Sequence, residues 1–141
     1  MTGIIKIVQH NVNKQKIASL QLRHHCNETK ADLVLIQEPV ESNGMEYAFE
    51  ECRQAAGGAN PGAIIVILNP ELRVIELTDL SSQYVVAIKI CRGGQADDIT
   101  VVSAYFKYNM PTHSFIEKLR PILDREPRTV IGADVNGHSR L

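Results

Sequence analysis

The continuous apolar run at residues 33–36, Leu-Val-Leu-Ile, limits the choice of fold more than any other segment of the chain. Such a run is typical of a strand that is buried on both faces and therefore needs packing partners on two sides. A β-branched run at residues 4–8 predicts an earlier strand, and near-helical spacing of apolar residues across 15–28 predicts an amphipathic helix between the two. Strand, helix and strand in this order indicate an α/β fold built in layers.

Residues 41–62 are dense in turn formers and poor in large apolar side chains. This composition predicts a long, mobile surface loop. Three strand-like runs follow at residues 63–68, 84–90 and 99–105, and the turn signals between them predict an antiparallel β-meander.

Two helices and a last strand complete the expected elements. The first helix is expected to bury the side that carries Ile17, Leu20 and Cys26. Thr112 is expected to cap the second helix, which ends before Pro127, and a strand is expected at residues 129–131. The apolar stripe of the second helix consists of Phe115, Ile116, Leu119 and Leu123.

The composition fits one globular domain over residues 1–141, because 44% of the residues are hydrophobic and 22% are charged. No run approaches the roughly 18 apolar residues of a membrane helix, and no signal peptide is visible, so no membrane partner is expected. The formal net charge of −1 provides no overall positive field for a polyanion. The three cysteines lack the spacing of a metal site and are expected to be free thiols of a reducing, intracellular compartment.

Three clusters of polar side chains follow predicted strands, at residues 10–13, at 37–39 and from Asp134 onward. Strand ends are where side chains from distant parts of a layered α/β chain meet a ligand. In the third cluster, the two-residue period of an extended segment places Asp134, Asn136 and His138 on one face. Taken alone, each cluster is more typical of a turn or a helix cap, whereas the three together favour a site.

The residue types in these clusters suit a hard metal ion, because carboxylate and carboxamide oxygens are the ligands that Mg²⁺ prefers. Glu38 fits the role of a metal ligand. Asp134 could orient or deprotonate an attacking water, and Asn136 could hold a phosphate oxygen. This combination fits metal-assisted hydrolysis of a phosphoester.

Four motifs in a fixed order carry a resemblance to a known superfamily. They are QHNVN at residues 9–13, LIQEP at 35–39, SAYF at 103–106 and GADVNGHS at 132–139. On these motifs the chain resembles the endonuclease/exonuclease/phosphatase superfamily, and within it the apurinic-type endonuclease domains of non-LTR retrotransposons. The resemblance covers essentially the whole chain. It implies a four-layer α/β sandwich of the DNase I-like type, in which two packed mixed sheets are flanked by helices.

The resemblance also implies an endonuclease that nicks DNA with Mg²⁺, or with Mn²⁺ as an alternative, and without a small-molecule cofactor. By motif, Glu38 is expected to bind the metal, and Asn13 stands where some relatives carry a metal-associated acidic residue. His138 and Ser139 belong to the retrotransposon form of the motif and are expected to contact the substrate. An enzyme of this kind is nuclear when it acts on genomic DNA.

The same resemblance implies four catalytic residues. Asn11 is expected to contribute to the hydrogen-bond network of the site, and Tyr105 to contact the region of the scissile phosphate. Asp134 is expected to position or activate water, with the assistance of Asn136 at the phosphate.

Members of the superfamily continue to a late aspartate and a Ser-Asp-His motif, which these 141 residues do not contain. The resemblance therefore implies a domain whose C-terminal part is missing. Two other functions stay open, a catalytically inactive remnant of such a domain and a phosphatase or nuclease of the same superfamily that acts on another phosphoester. Because a sandwich without its last strands leaves strand edges unpaired, we also expect self-association.

Overall fold

The structure is a computed structural model and describes residues 3–94, 97–107 and 111–135, with the backbone alone at residues 112 and 135. Its strands are β1 Ile7–Asn11, β2 Leu33–Gln37, β3 Glu41–Ser42, β4 Met45–Glu46, β5 Arg53–Ala55, β6 Ala63–Ile67, β7 Val74–Glu76, β8 Val85–Ile90, β9 Ile99–Phe106 and β10 Thr129–Val135. Its helices are α1 Lys16–Thr29 and α2 Thr112–Arg125, with short 3-10 turns at Tyr47–Phe49 and Thr78–Leu80. Within the described ranges, neither helix is long and apolar enough to cross a bilayer.

Two mixed sheets lie at the centre of the molecule. The first has the strand order β1-β2-β6-β5, and the second has the order β10-β9-β8-β7. β1 runs parallel to β2 and β9 runs parallel to β10, whereas the other neighbours in these sheets are antiparallel. Side chains of α1 pack on the outer face of the first sheet, and those of α2 pack on the outer face of the second. These layers confirm the predicted four-layer α/β sandwich.

The alternation of side chains along β2 shows how the sequence fills these layers. Leu33 and Leu35 pack between the two sheets, against inward-facing side chains of β8 and β9. Val34 and Ile36 point the other way and pack against α1. Each of these side chains is fully buried, and burial of one such side chain contributes roughly 1.5–3 kcal/mol to folding. The prediction of a strand buried on both faces is confirmed.

The predicted buried face of α1 is partly wrong. Cys26 is buried as expected, but Ile17 and Leu20 are 70% and 53% exposed, and Ser19 and Leu22 are buried instead. The Ser19 hydroxyl donates a hydrogen bond of 3.0 Å to a buried carboxylate of β4, which fixes the rotation of the helix about its axis. Burial raises the pKa of the Cys26 thiol, in keeping with a protonated free cysteine.

Residues 41–62 are well structured, so the prediction of a long surface loop is wrong. β3 pairs with β4 in a hairpin, and β5 pairs with β6 at the edge of the first sheet. Phe49 is fully buried among side chains of α1 and the first sheet. The buried Glu46 carboxylate accepts hydrogen bonds from the backbone N–H groups of Val40 at 2.7 Å and Ala48 at 3.0 Å. Tertiary contacts of this kind, which local composition does not reveal, order the segment.

The predicted meander is also wrong in its membership. β6 lies in the first sheet, whereas β8 and β9 lie in the second. The antiparallel meander consists of β7, β8 and β9, and β7 has only three residues, too few to give a clear alternation. The last strand begins at Thr129 as predicted and continues past residue 131 to Val135.

α2 ends before Pro127 as predicted, but Pro111 rather than Thr112 stands at its N-cap, and the side of the helix that is buried differs slightly from the prediction. Phe115 is buried and Leu119 is half-buried against the second sheet, whereas Ile116 and Leu123 are 49% and 52% exposed. Ile122 is fully buried, because it lies two helical turns after Phe115 and therefore on the same face.

Candidate active site

Four strands bring their carboxyl ends to one rim of the sandwich. In the first sheet, the register pairs Asn11 with Gln37, and in the second it pairs Asp134 with Tyr105. Two side-chain hydrogen bonds cross between the sheets at this level, one from Tyr105 to Glu38 and one from Asn11 to Asp134. The structure therefore brings together four of the residues that the sequence singled out, two from each sheet.

The orientation of Glu38 depends on a backbone turn at the end of β2. Continued strand alternation would point its side chain away from that of Gln37, toward the helix-covered face. The φ angle of 48° lies in the left-handed region and ends the strand, and the Glu38 N–H donates to the Gly62 carbonyl at 2.9 Å. Its Oε1 accepts a hydrogen bond of 2.8 Å from the Tyr105 hydroxyl, whereas Oε2 accepts none from the described residues.

Tyr105 is held by its own backbone and by a second aromatic ring. It is 7% exposed, and its N–H donates to the Tyr84 carbonyl at 2.9 Å. The two tyrosine rings meet edge to face, with centroids 6.1 Å apart and an interplanar angle of 64°. Gly62 permits this packing, because a Cβ there would lie 2.4 Å from Cδ1 of Tyr84.

Asn11 and Asp134 form the second pair, although they are 123 residues apart in the sequence. The Asn11 Nδ2 donates to Oδ2 of Asp134, and both residues are half-buried. At its other end, the Asn11 carboxamide accepts a 2.7 Å hydrogen bond from the backbone N–H of Asn13. The carboxamide is thus fixed at both ends and in turn orients the carboxylate.

The remaining predicted residues do not join this group. Asn13 is exposed, and its backbone lies in the left-handed region with a φ of 55°. Its backbone N–H, rather than its side chain, contacts the site by donating to the Asn11 carboxamide. Asn136, His138 and Ser139 lie outside the described residues.

Among the described residues, the rim carries two carboxylates and no cation that pairs with them. Within the described ranges, neither Glu38 nor Asp134 forms an ion pair with lysine, arginine or histidine. The same ranges hold no group of three histidine, cysteine, aspartate or glutamate side chains that could enclose a metal by themselves. One carboxylate with an unbonded oxygen, beside a second carboxylate and a carboxamide, fits instead an Mg²⁺ ion that keeps several of its waters.

A lysine and a groove lie beside the rim. Lys107 lies two residues after Tyr105, and its ammonium is 5.8 Å from the centroid of the Tyr84 ring. It forms no ion pair with a described carboxylate. Next to Glu38, a groove of about 300 Å³ is lined by Lys14, Pro39, Val40, Glu41, Asn60 and Pro61.

Sequence reasoning missed a polar layer directly beneath the site, formed by side chains of Gln9, Gln37 and Ser103 and the carbonyl of Gly132. A signal for it was present. Gln37 follows two leucines at inward-facing positions of β2, and a carboxamide at such a position requires hydrogen-bond partners inside the core.

No family model matches the sequence, and no curated protein is significantly similar to it. Solved structures share its fold. The human Nocturnin catalytic domain with bound sulfate has a TM-score of 0.65 and 10% identity, over 95% of this chain and 64% of that chain. D. rerio TDP2 in complex with a single-strand DNA product has a TM-score of 0.64 and 12% identity, over 96% and 62%. The chain has the DNase I-like fold of endonuclease/exonuclease/phosphatase proteins.

Among proteins of this fold, the chain is similar to the endonuclease domain of TRAS1, a telomere-specific non-LTR retrotransposon. The TM-score is 0.82 and the identity 27%, over 96% of this chain and 61% of the TRAS1 domain. The predicted resemblance is confirmed, and the chain spans about three fifths of the length of these solved structures.

Proposed function

We propose that this chain belongs to a metal-dependent endonuclease that hydrolyses DNA phosphodiesters and nicks DNA for a non-LTR retrotransposon. The observation that carries the proposal is the pair of hydrogen bonds across the rim, Tyr105 to Glu38 and Asn11 to Asp134. They gather two carboxylates, a phenol and a carboxamide from four strands, and the similarity to the TRAS1 endonuclease domain supports the choice of substrate.

Glu38 is the proposed metal ligand, through the oxygen that Tyr105 does not occupy. Asn13 is proposed to assist from the adjacent loop, where its side chain is exposed. When bound, Mg²⁺ or Mn²⁺ supplies positive charge that offsets the negative charge developing on the phosphate.

Asp134 is proposed to orient the attacking water and accept its proton. Because Asn11 donates to Oδ2, the other oxygen, Oδ1, is the one left to receive that proton. Asn11 restricts the rotation of the carboxylate, so that this oxygen stays directed at the substrate. A positioned general base of this kind contributes roughly 10²–10⁴-fold to the rate.

The remaining proposed contacts are made to the DNA. Tyr105 lies beside the carboxylate of Glu38 and is proposed to face the scissile phosphate, with Asn136 at a phosphate oxygen and His138 and Ser139 on the substrate. Lys107 is the proposed partner of a neighbouring phosphate. Action on genomic DNA would place the enzyme in the nucleus.

The test is the nicking of supercoiled plasmid by the natural polypeptide that carries this sequence, in Mg²⁺, in Mn²⁺ and with a chelator. We expect nicked circles in either metal and none with the chelator. Glu38→Gln and Asp134→Asn should each lower the rate about 100-fold or more, because each removes a charge that the reaction requires.

Glu117→Gln is the matched control, since Glu117 is exposed on α2 and takes part in none of the contacts of the site. It should nick at the native rate. Undiminished nicking by both site variants would contradict the assignment. A folded native protein that never nicks DNA would favour the inactive remnant. Cleavage of RNA or of a phosphomonoester instead of DNA would favour a phosphatase or nuclease of the same superfamily that acts on another phosphoester.

A further inference from the structure

Gln37 is a polar side chain in an otherwise apolar interior. The residue is fully buried, between the two sheets. Its Nε2 donates to the Ser103 hydroxyl at 3.1 Å and to the Gly132 carbonyl at 3.4 Å, and its Oε1 accepts from Nε2 of Gln9 at 2.6 Å. One carboxamide therefore joins four strands, β1 and β2 of the first sheet and β9 and β10 of the second.

The partners of Gln37 are spaced regularly with respect to the site. Each of them lies two residues before a site residue on the same strand, and Gln37 directly precedes Glu38. Residues i and i+2 of a strand share a face, so the network forms the layer beneath the rim. The pairs are Gln9 with Asn11, Ser103 with Tyr105, and Gly132 with Asp134.

Gly132 makes the network geometrically feasible. A Cβ at this position would lie 2.5 Å from Cδ1 of Leu35 and 3.0 Å from Cγ of Gln9. β10 therefore approaches the first sheet more closely than a strand with a side chain at this position could. This approach brings the Gly132 carbonyl within reach of the Gln37 carboxamide.

Apolar packing and hydrogen bonding constrain the two sheets in different ways. The hydrophobic effect is not directional, so the leucines, isoleucines and valines of the core hold the sheets together without fixing their relative slide. Hydrogen bonds weaken steeply when distance or angle departs from the optimum. The pairs Tyr105 to Glu38 and Asn11 to Asp134 both cross between the sheets, so a small slide would break both.

We infer that Gln37 is a positioning residue, which fixes the relative slide of the two sheets so that the site residues of one sheet meet those of the other. Its hydrogen bonds to Ser103 and Gly132 are directional contacts between the sheets, one layer of side chains beneath the rim pairs. The Gly62 N–H, which donates to the Gln83 carbonyl at 2.8 Å, is another directional contact between the sheets. The inference rests on the proposed function only where catalytic activity is the readout.

The experiment compares three variants of the natural polypeptide. Gln37→Met keeps the length of the side chain, removes all its hydrogen bonds and leaves the Ser103 hydroxyl without this partner. The double variant Gln37→Met with Ser103→Ala removes both buried polar groups, which can restore stability because neither is left unsatisfied. Leu35→Met is the control, a volume-conserving change on the same strand and the same face.

Two readouts separate positioning from stability. The first is the nuclear Overhauser effect between the Asn11 side-chain amide and the β-protons of Asp134, and the second is the kcat of plasmid nicking. In the double variant we expect a melting temperature close to that of Leu35→Met. The Overhauser effect between Asn11 and Asp134 should be weakened or lost, and the kcat of nicking should fall about 10-fold to 100-fold. A double variant with the Overhauser effect and kcat of the control would overturn the inference.

Ser103→Ala alone covers the case in which the double variant does not fold, since it removes one hydroxyl from the network. It should weaken the same Overhauser effect, and a signal equal to the native one would overturn the inference. If the native protein does not nick DNA, the Overhauser effect alone decides. Failure of the proposed function is thereby distinguished from failure of the positioning role.

Discussion

Glu38 combines a charged side chain with a backbone conformation that most residues avoid. Its φ of 48° costs an L-residue roughly 1–2 kcal/mol relative to the common regions. That conformation turns the carboxylate from the helix-covered face of β2 toward Tyr105. Local strain of this kind tends to occur where a side chain must be presented for function.

We predict that Glu38→Gly is more stable than Glu38→Ala by about 1 kcal/mol, because glycine adopts the left-handed region without strain and alanine does not. Both variants lose the carboxylate and should be inactive. Urea unfolding measures the difference. Lys30→Ala and Lys30→Gly form the control pair, since Lys30 has a φ of 56° at the end of α1 and should show the same preference with full activity.

At Lys107, we predict an effect on DNA affinity rather than on stability. Neutralising one phosphate contact lowers the steepness of the salt dependence of binding by about one unit. Lys107→Gln should therefore reduce the slope of log K against log salt by that amount, whereas Lys118→Gln, on the exposed face of α2, should leave it unchanged. Identical slopes for native protein and Lys107→Gln would exclude the contact.

At the scale of elements, α2 is tied to the second sheet by a buried carboxylate at its C-terminal end. Glu126 accepts hydrogen bonds from Nζ of Lys89 at 2.9 Å and from the Thr100 hydroxyl at 2.9 Å, and a third from Arg125 at 3.2 Å. These partners, Lys89 foremost, hold the pKa of the Glu126 carboxyl below its usual value. The helix is thus anchored to both β8 and β9.

We predict that Glu126→Gln destabilises the fold by about 1.5–3 kcal/mol at neutral pH, the range for hydrogen bonds to charged groups. Because the pKa is lower in the folded state than the unfolded value of about 4.3, the contribution of Glu126 is present above that value. It is lost as the pH falls through the folded pKa. Urea unfolding from pH 7 to pH 3 should show a shallower acid decline in this variant than in Glu117→Gln.

The elements themselves were largely predictable, because period and turn signals are local. β2, α1, β8 and β9 lie close to their expected bounds. The rotation of α1 about its axis and the regular structure of residues 41–62 were not predictable from the sequence. Both depend on the buried Glu46 carboxylate, which accepts hydrogen bonds from Ser19 and from two backbone N–H groups. A glutamate in a turn-rich segment is normally solvent-exposed, so nothing local in the sequence indicated this role.

On the scale of the whole molecule, the two sheets end in strands that lack a second neighbour within the described residues. These are β1 and β5 in the first sheet, and β10 and β7 in the second. Along β10, Val130 is 46% exposed and Ile131 is 37% exposed. Unpaired backbone groups beside exposed β-branched side chains form a template for pairing with another chain.

We predict that the isolated 141-residue chain self-associates through these edges. Light scattering after size exclusion should give a mass above that of the monomer, increasing with concentration. Val130→Lys should shift the distribution toward monomer, because a lysine on an edge strand opposes pairing. Leu123→Lys removes a comparable exposed apolar group from α2 and should change the mass less; a larger effect there would place the association on the helix.

The position of Asn11, Glu38 and Asp134 at strand ends was also predictable, since their motifs stand directly after apolar runs, whereas Tyr105 was singled out by the resemblance alone. Which of these side chains would hydrogen-bond to one another was not predictable. It depends on how the two sheets face each other, which is set by the Gln37 network and by the missing side chain at Gly132. Contacts between sheets leave no periodic signal in either strand.

The hydrogen bond between Asn11 and Asp134 joins β1 to β10, the first and the last strand in the part of the chain that the structure describes. A ribosome that has released β1, α1 and β2 has made only half of the rim, and no intermediate that lacks β10 can bring the two carboxylates together. The rim therefore forms only when the second sheet docks on the first.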